Sequence, residues 1–367
     1  MKKASVIGIG KLGLCFSLTL EKAGYSVVGV DVNQNYVNLI NSKQFVSSEP
    51  GVNQLLEKSK NFIATTSLVE AVDHSDVLFV IVATPSLENG RYDHTQVDNL
   101  VASLRELGAA KDNKHFVVCC TTMPGYCDQI KSTLEDLNYT VSYNPEFIAQ
   151  GTILKNQAYP DMVLIGEGSV EAGNLLEEIY QEHTENEPRI CRMSPMEAEI
   201  TKIALNCFLT TKIAYANMVG DIVKSSGGDE SKVLNAIGQD SRIGNKYLGY
   251  GFGYGGPCFP RDNRALAIYA KDIGIEALIS LASDESNANH LLYQIEDFVS
   301  KGNKSKQVVF DYVTYKPEST LLVESQQLAY AVGIARAGFD VKIKERKEVI
   351  DQLQEVYGDL FTYEERN

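Results

Sequence analysis

The amino-acid sequence predicts an α/β protein in three parts. A doubly wound parallel sheet occupies residues 1–193, a long-helix α domain residues 194–300, and a short α/β unit residues 301–367. Three observations carry this reading. Short β-branched apolar runs alternate with amphipathic segments through the first half, the pattern of strands joined by crossover helices. One unbroken helical stretch of roughly 30 residues follows. A strand–helix–strand–helix pattern then begins near residue 307. At 367 residues the chain is also too long for a single ordinary core.

The predicted strands are 4–9, 26–31, 62–66, 76–82, 115–120 and 140–144, with 161–166 and 189–193 extending the sheet. Runs as continuously apolar as Val77-Leu78-Phe79-Val80-Ile81-Val82 suit strands covered on both faces. Ser194-Pro195-Met196-Glu197 reads as a capping box with proline in the first helical position, and Ser225-Ser226-Gly227-Gly228 as the stop. Between them Ile200, Ile203, Phe208, Ile213, Met218 and Ile222 occupy several faces. A helix of about 45 Å with that character is expected to bury against a second subunit. The last unit is read as strand 307–313, a helix near 324–337, strand 340–344 and one more helix.

Composition narrows the partners. With 44% hydrophobic and 22% charged residues the chain is globular. A formal charge of −14 argues against nucleic acid, which wants a basic face. No apolar run is long enough to span a membrane, and the opening Met1-Lys2-Lys3 before apolar residues is explained by a strand and glycine turn, so no signal segment is expected. Seven cysteines without framework spacing suggest thiols in a reducing, cytoplasmic setting, and no metal site is expected.

Gly8-Ile9-Gly10-Lys11-Leu12-Gly13 is a G-x-G-x-x-G sequence that follows a strand and opens a helix, and a second strand ends at Asp31, eighteen residues past the last glycine. In that context it marks a Rossmann-type dinucleotide site. Gly8 makes the tight turn, Gly10 lets a pyrophosphate approach backbone amides, and Gly13 permits close helix–strand packing. Asp31 would accept from ribose hydroxyls and repel a 2′-phosphate, and no arginine follows it, so NAD is expected over NADP.

Other polar groups share the carboxyl ends of strands, where open α/β sheets bind ligands. They are Thr84, Thr122, and Asn144-Pro145-Glu146-Phe147. Lys202 and Asn206 stand at i and i+4 on the long helix. The stretch from Gly251 to Asp262 is a glycine loop stiffened by Pro257 and Pro260 around Cys258, with a helical pattern just after it. A helix N-terminus and Arg261 nearby both favour a thiolate at Cys258.

Together these residues resemble the UDP-glucose/GDP-mannose dehydrogenase family, which oxidises the C6 alcohol of a nucleotide sugar to a carboxylate. The resemblance runs from Gly8 to about Asp262. Asn144 to Thr152, Lys202 with Asn206, and Arg242-Ile243-Gly244-Asn245-Lys246 look most like the branch that acts on UDP-glucose. It implies NAD as cofactor, a UDP-sugar as substrate and a homodimer through the central helix. It makes Cys258 a nucleophile that forms a thiohemiacetal and then a thioester, with Lys202 and Asn206 donating to the C6 oxyanion. Glu146, Thr122 and Asp262 would position or activate water. Thr122 and Glu146, with Gly8, Gly10, Lys11, Leu12, Gly13, Asp31, Thr84 and Arg261, would contact the cofactor. Phe147, Ile148, Ala149, Gln150, Tyr247, Leu248, Gly249, Gly255, Phe259 and Lys316 would line the substrate, and Arg242 would reach a neighbouring subunit's site.

Departures from the family pattern lie at Gln150, where a second glutamate is usual, and at Tyr312 and Val323, where a glycine and a cofactor-contacting arginine are usual. The C-terminal unit also reads as shortened, so weaker and more base-tolerant nucleotide binding is expected. Two other readings remain open: oxidation of another UDP-sugar, such as an N-acetylhexosamine derivative, and a catalytically weak paralogue that only binds nucleotide sugar. A simple hydroxyacid dehydrogenase would share the glycine fingerprint without needing Cys258.

Overall fold

Eight strands order themselves β3-β2-β1-β4-β5-β6-β7-β8 in a computed structural model that describes residues 1–148, 151–302, 304–317 and 319–366. They are β1 (Lys3–Ile7), β2 (Ser26–Val30), β3 (Phe62–Thr65), β4 (Val77–Val80), β5 (Lys114–Val118), β6 (Tyr139–Tyr143), β7 (Met162–Gly166) and β8 (Arg189–Met193). The order reverses between β1 and β4, the switch point of a doubly wound sheet. Alternate residues of β4 show how both faces are covered. Val77 and Phe79 enter one apolar core, and Leu78 and Val80 the other. Every pairing is parallel except β6 with β7, which meet antiparallel at Tyr143 and Gly166. An apolar run fixes which faces a strand buries and says nothing about its direction, so this reversal was not readable from periodicity.

The chain divides into two compact units, Met1–Lys202 and Ile203–Asn367, with the division inside the helix Pro195–Ser225. That helix starts as the capping box predicts. The Ser194 backbone N–H donates to Glu197 Oε2 at 2.8 Å, and the Glu197 N–H donates back to Ser194 Oγ at 3.4 Å. In the second unit Ile203 is fully buried, whereas Phe208, Tyr215, Met218 and Ile222 are exposed. No described helix is long and apolar enough to cross a membrane.

The C-terminal segment of the second unit is a parallel sheet ordered β11-β10-β9, from β9 (Val308–Phe310), β10 (Val341–Glu345) and β11 (Thr362–Glu365). Helices Gln326–Arg336 and Lys347–Tyr357 pack on it around Ile334, Ile343 and Leu353. The third strand, Thr-Tyr-Glu-Glu, was not predicted. It is an edge strand with mostly exposed side chains, so it lacks the apolar alternation that marks a buried one.

Candidate active site

The glycine turn has the geometry each of its glycines predicts. Gly8 takes φ +91°, where a Cβ would also lie 2.4 Å from the Ile81 carbonyl oxygen. A Cβ on Gly13 would fall 2.0 Å from the Gly8 oxygen, so only a hydrogen fits where the helix Lys11–Lys22 crosses β1. Gly10 has nothing within 4 Å of its Cβ position, at the N-cap of that helix. Open space in front of helix N–H groups is what a dinucleotide pyrophosphate requires, so these residues fit NAD. Lys11 and Leu12 form the first turn. Asp31 follows β2 directly and accepts from the Asn33 N–H at 2.9 Å, which fixes the carboxylate at the sheet edge.

The loops after β4, β5 and β6 are tied down by side chains. Thr84 is buried and donates to the Thr121 carbonyl oxygen at 2.7 Å. Thr122 is buried too, and its hydroxyl donates to Glu199 Oε1 at 2.9 Å. The Gly125 and Cys127 N–H groups donate to the same carboxylate at 2.6 and 2.9 Å. Burial pushes the Glu199 carboxyl up, and its donors pull it back. Sequence reading missed Glu199, although a glutamate three residues ahead of Lys202 on so apolar a helix was a usable signal.

One turn further, Lys202 is 8% exposed. Its Nζ donates to the Glu146 carbonyl oxygen at 2.7 Å and stands 4.3 Å from the centre of the Phe147 ring. Lys202 therefore has a reason to be buried, and it joins the Asn-Pro-Glu-Phe loop that the sequence singled out. The Glu146 carboxyl retains some exposed surface but is closely surrounded by protein. Burial raises it to about 7, against the opposing pull of Lys202 and a hydrogen bond from Tyr180. A carboxyl that titrates near neutrality suits proton transfer. Tyr180 donates to Asn144 Oδ1 at 2.8 Å and lies 3.5 Å from Glu146 Oε1. Ile148 packs against the sheet core, while Ala149 and Gln150 lie outside the described residues.

In the second unit Cys258 is the N-cap of the helix Phe259–Asp272 and is exposed. The other six cysteines are buried or partly so. Asp262, in the first turn, is 1% exposed. Its Oδ2 accepts from Asn206 Nδ2 at 2.6 Å, and Arg261 Nε lies 3.3 Å from its Oδ1. Asn206, Arg261 and Asp262 thus form one polar cluster at the helix that Cys258 begins. Tyr247, at φ +61°, sets its ring edge to face against Phe259 at 6.3 Å.

The loop before Cys258 is gripped by amide side chains. Asn287 accepts from the Tyr254 N–H and donates to the Tyr254 carbonyl oxygen, both at 2.9 Å. Asn217 Oδ1 accepts from the Gly251 N–H at 3.0 Å. Gly255 passes so close to the Glu324 carbonyl oxygen that a Cβ would fall 2.1 Å from it. Lys316 Nζ lies 5.4 Å over the Tyr315 ring, which itself packs on Gly256. Leu248 is buried with Ala216 and Leu234, so only its backbone is available to a ligand. Gly249 has open space around its Cβ position. Arg242 stands apart from the cysteine loop's contacts, exposed and paired with Asp240 at 2.7 Å.

Comparison with known proteins shows the family. The profile of the UDP-glucose/GDP-mannose dehydrogenase family, NAD binding domain, matches residues 2–184, and the family's central domain matches residues 196–289. A GDP-mannose 6-dehydrogenase of Pseudomonas aeruginosa is 31% identical, over 94% of this chain and 81% of that protein. The UDP-glucose 6-dehydrogenase AglM of Haloferax volcanii is also 31% identical, over 92% of this chain and 81% of its own length. A solved UDP-glucose dehydrogenase from Pyrobaculum islandicum superposes with a TM-score of 0.88 at 29% identity, covering 100% of this chain and 86% of that one.

Proposed function

Because this chain belongs to the UDP-glucose/GDP-mannose dehydrogenase family, we propose that it oxidises the C6 alcohol of UDP-glucose to the carboxylate, UDP-glucuronate, through a covalent intermediate on Cys258. Family membership makes it an NAD-dependent nucleotide-sugar dehydrogenase. The finer reading rests above all on Cys258. It is the exposed cysteine at a helix N-cap, at the end of a glycine–proline loop.

Gly8, Gly10 and Gly13 would hold NAD at the helix N-terminus, Gly10 leaving room for the pyrophosphate and Asp31 accepting from the ribose, and NAD would supply the hydride acceptor. Lys202 and Asn206 donate to the oxygen at C6 as charge develops there. Once C6 has given a hydride to that acceptor and its hydroxyl proton to solvent, the Cys258 thiolate attacks the aldehyde carbon. A sulfur–carbon bond forms and the carbonyl pair moves to oxygen, giving a thiohemiacetal. The alkoxide pair then returns to carbon and expels a second hydride, which a second NAD exchanged for the first NADH would accept, leaving a thioester. Glu146 takes a proton from water as its oxygen attacks that carbon, and the carbon–sulfur bond breaks to release thiolate and an acid that loses its remaining proton to solvent as the carboxylate. Asp262, fixed by Asn206 and Arg261, holds that amide in its donating orientation.

With limiting UDP-glucose the protein should form two NADH per sugar and a carboxylate product. GDP-mannose and UDP-N-acetylhexosamines belong in the same assay. One NADH per sugar would reject the thioester route, and a higher kcat/KM for another nucleotide sugar would reassign the substrate. The exposed stripe Phe208, Tyr215, Met218 and Ile222 recurs at helical spacing along the long helix. It supports a homodimer through that helix, in which Arg242 acts on the partner. A monomer in sedimentation would refute this.

A further inference from the structure

Residues at the ends of β10 and β11 converge on the loop that follows β9. That loop, Asp311 to Pro317, lies at the carboxyl end of its strand, where open α/β sheets take ligands. Glu345 closes β10, and Arg366 follows β11 directly. The order β11-β10-β9 sets β11 two places from β9, about 10 Å at the usual strand spacing. A side chain after β11 has to pass over the end of β10 to touch the loop, and it has to be long.

The loop is held at both ends and in its middle. Arg366 Nη1 donates to the Asp311 carbonyl oxygen at 3.0 Å, and its Nη2 to the Pro317 carbonyl oxygen at 2.7 Å. One planar guanidinium thus brackets the whole loop. Arg346 Nη2 donates to the same Pro317 oxygen at 2.9 Å. Pro317 has no N–H, so its backbone can be fastened only through that oxygen. Between the ends, Glu345 Oε1 accepts from the Val313 N–H at 3.1 Å and the Thr314 N–H at 3.4 Å. The Glu345 carboxylate is fully buried, and Arg366 Nη2 lies 3.4 Å from its other oxygen. The arginine is therefore also the counter-charge that a buried carboxylate needs.

The bracketed loop carries Tyr315 and Lys316. Tyr315 lies so close to Gly256 that a Cβ there would fall 2.5 Å from the ring. Lys316 Nζ stands 5.4 Å over the same ring. We propose that Arg366 is a positioning residue for the nucleotide sugar: by bracketing the loop after β9 it holds Lys316 where that side chain meets the substrate. This rests on the reading of Lys316 as a substrate residue. The cysteine loop has a separate grip, from Asn217 and Asn287. Loss of the bracket should weaken nucleotide-sugar binding and spare the chemistry at Cys258.

The test uses the full chain, with UDP-glucose as the probe in calorimetry and in steady-state assays. Arg366→Ala should raise Kd and KM for UDP-glucose about tenfold, the scale of one hydrogen bond to a charged group. Its kcat and its KM for NAD should stay as they were. In a Lys316→Ala background the same substitution should add no more than about twofold, because two residues acting in series are not additive. Amide exchange at Val313, Thr314 and Tyr315 should quicken in Arg366→Ala without any ligand. Arg366→Lys keeps a charge beside Glu345 and gives up the planar fork. It should melt like the unmodified protein and still bind UDP-glucose more weakly, which keeps the test sound if Arg366→Ala does not fold.

A full loss of affinity on top of Lys316→Ala overturns the positioning role. So does a parallel rise in KM for UDP-glucose and NAD, the mark of general damage, and so does Arg366→Lys with unmodified affinity. Failure of the underlying reading looks different. Lys316→Ala with unchanged affinity removes Lys316 from the substrate site and the positioning role with it, whereas a weakened Lys316→Ala beside an unaffected Arg366→Ala removes the positioning role alone. Should the unmodified protein not bind UDP-glucose, the exchange measurement decides the bracket, and unchanged exchange in Arg366→Ala overturns it.

Discussion

The glycine turn of the first unit is shaped by its own backbone, whereas the glycine loop before Cys258 is held from outside by side chains of two helices. Gly8, Gly10 and Gly13 work through what they lack. Gly8 and Gly13 leave room for main chain, and Gly10 leaves room for a ligand. The turn's ends are pinned by main-chain bonds, Gly8 N–H to the Val30 carbonyl at 2.8 Å and Leu14 N–H to the Gly10 carbonyl at 2.9 Å. The flanking strand and helix and Asp31, all near it in sequence, are enough to read it. By contrast, the residues from Gly251 to Tyr254 take their hydrogen bonds from Asn217, Asn287, His290 and Gln294, up to 43 residues away in sequence. A loop of that kind can be re-tuned by distant substitutions, and a self-contained turn cannot.

The largest effect should come from the end of the second loop. Cys258→Ser should cut turnover by several orders of magnitude while nucleotide-sugar binding, measured by calorimetry, persists. A serine alkoxide is far harder to form than a thiolate. Full turnover would remove the reason to treat the loop as a catalytic mount. Lys202→Ala should come next, lowering kcat by roughly 10²–10³, the scale for one preorganised donor. An unchanged kcat with raised KM in steady-state assays would make Lys202 a uniform binding residue instead.

Smaller effects compare the two loops directly. Gly13→Ala forces a methyl group to within 2.0 Å of the Gly8 oxygen, so NAD affinity and stability should both fall, the latter by about 1–3 kcal/mol. Asn287→Ala strands the buried Tyr254 N–H and carbonyl, at a similar cost of about 1–3 kcal/mol. Its NAD affinity should be intact. Equal loss of NAD affinity in both variants, by calorimetry beside denaturant melts, would break the contrast.

The same contrast explains what the sequence made legible. All eight strands of the large sheet and the long helix were readable, because apolar runs and a capping box are local signals. The glycine turn with Asp31 was readable because its spacing is local too. The antiparallel β7, the polar edge strand β11, Glu199 and the Asn287–His290 grip were not. Each depends on which distant residues meet, and an asparagine or glutamate on a helix looks the same whether it faces water or another segment's backbone. Thr122 and Leu248 show the converse. Thr122 was marked by its strand end and Leu248 by the resemblance, and the sequence did not show that the hydroxyl of one donates to Glu199 or that the side chain of the other packs in an apolar core.

Glu146 offers a test of a different kind, because it is read from the pH dependence of rate and stability together. Burial raises its carboxyl to about 7 from an ordinary 4.5, so the folded chain holds that proton more tightly than the unfolded chain does. The sign follows from linkage. Its contribution to stability is present below about 4.5 and is lost as pH rises through about 7. Activity runs the other way, since only the carboxylate can take a proton from water. Turnover should climb through neutrality and level off above it, while denaturation midpoints decline over the same interval. Glu146→Gln should remove the rate trend, leaving a low, flat rate against pH, and should shrink the fall in stability toward neutral by the share that is its own, with Glu199 keeping the rest. The variant keeps the Glu146 backbone carbonyl that receives Lys202 at 2.7 Å, so the lysine should stay where it is. A pH–rate limb surviving in Glu146→Gln would assign that ionisation to another group, with the Cys258 thiol as the next to examine.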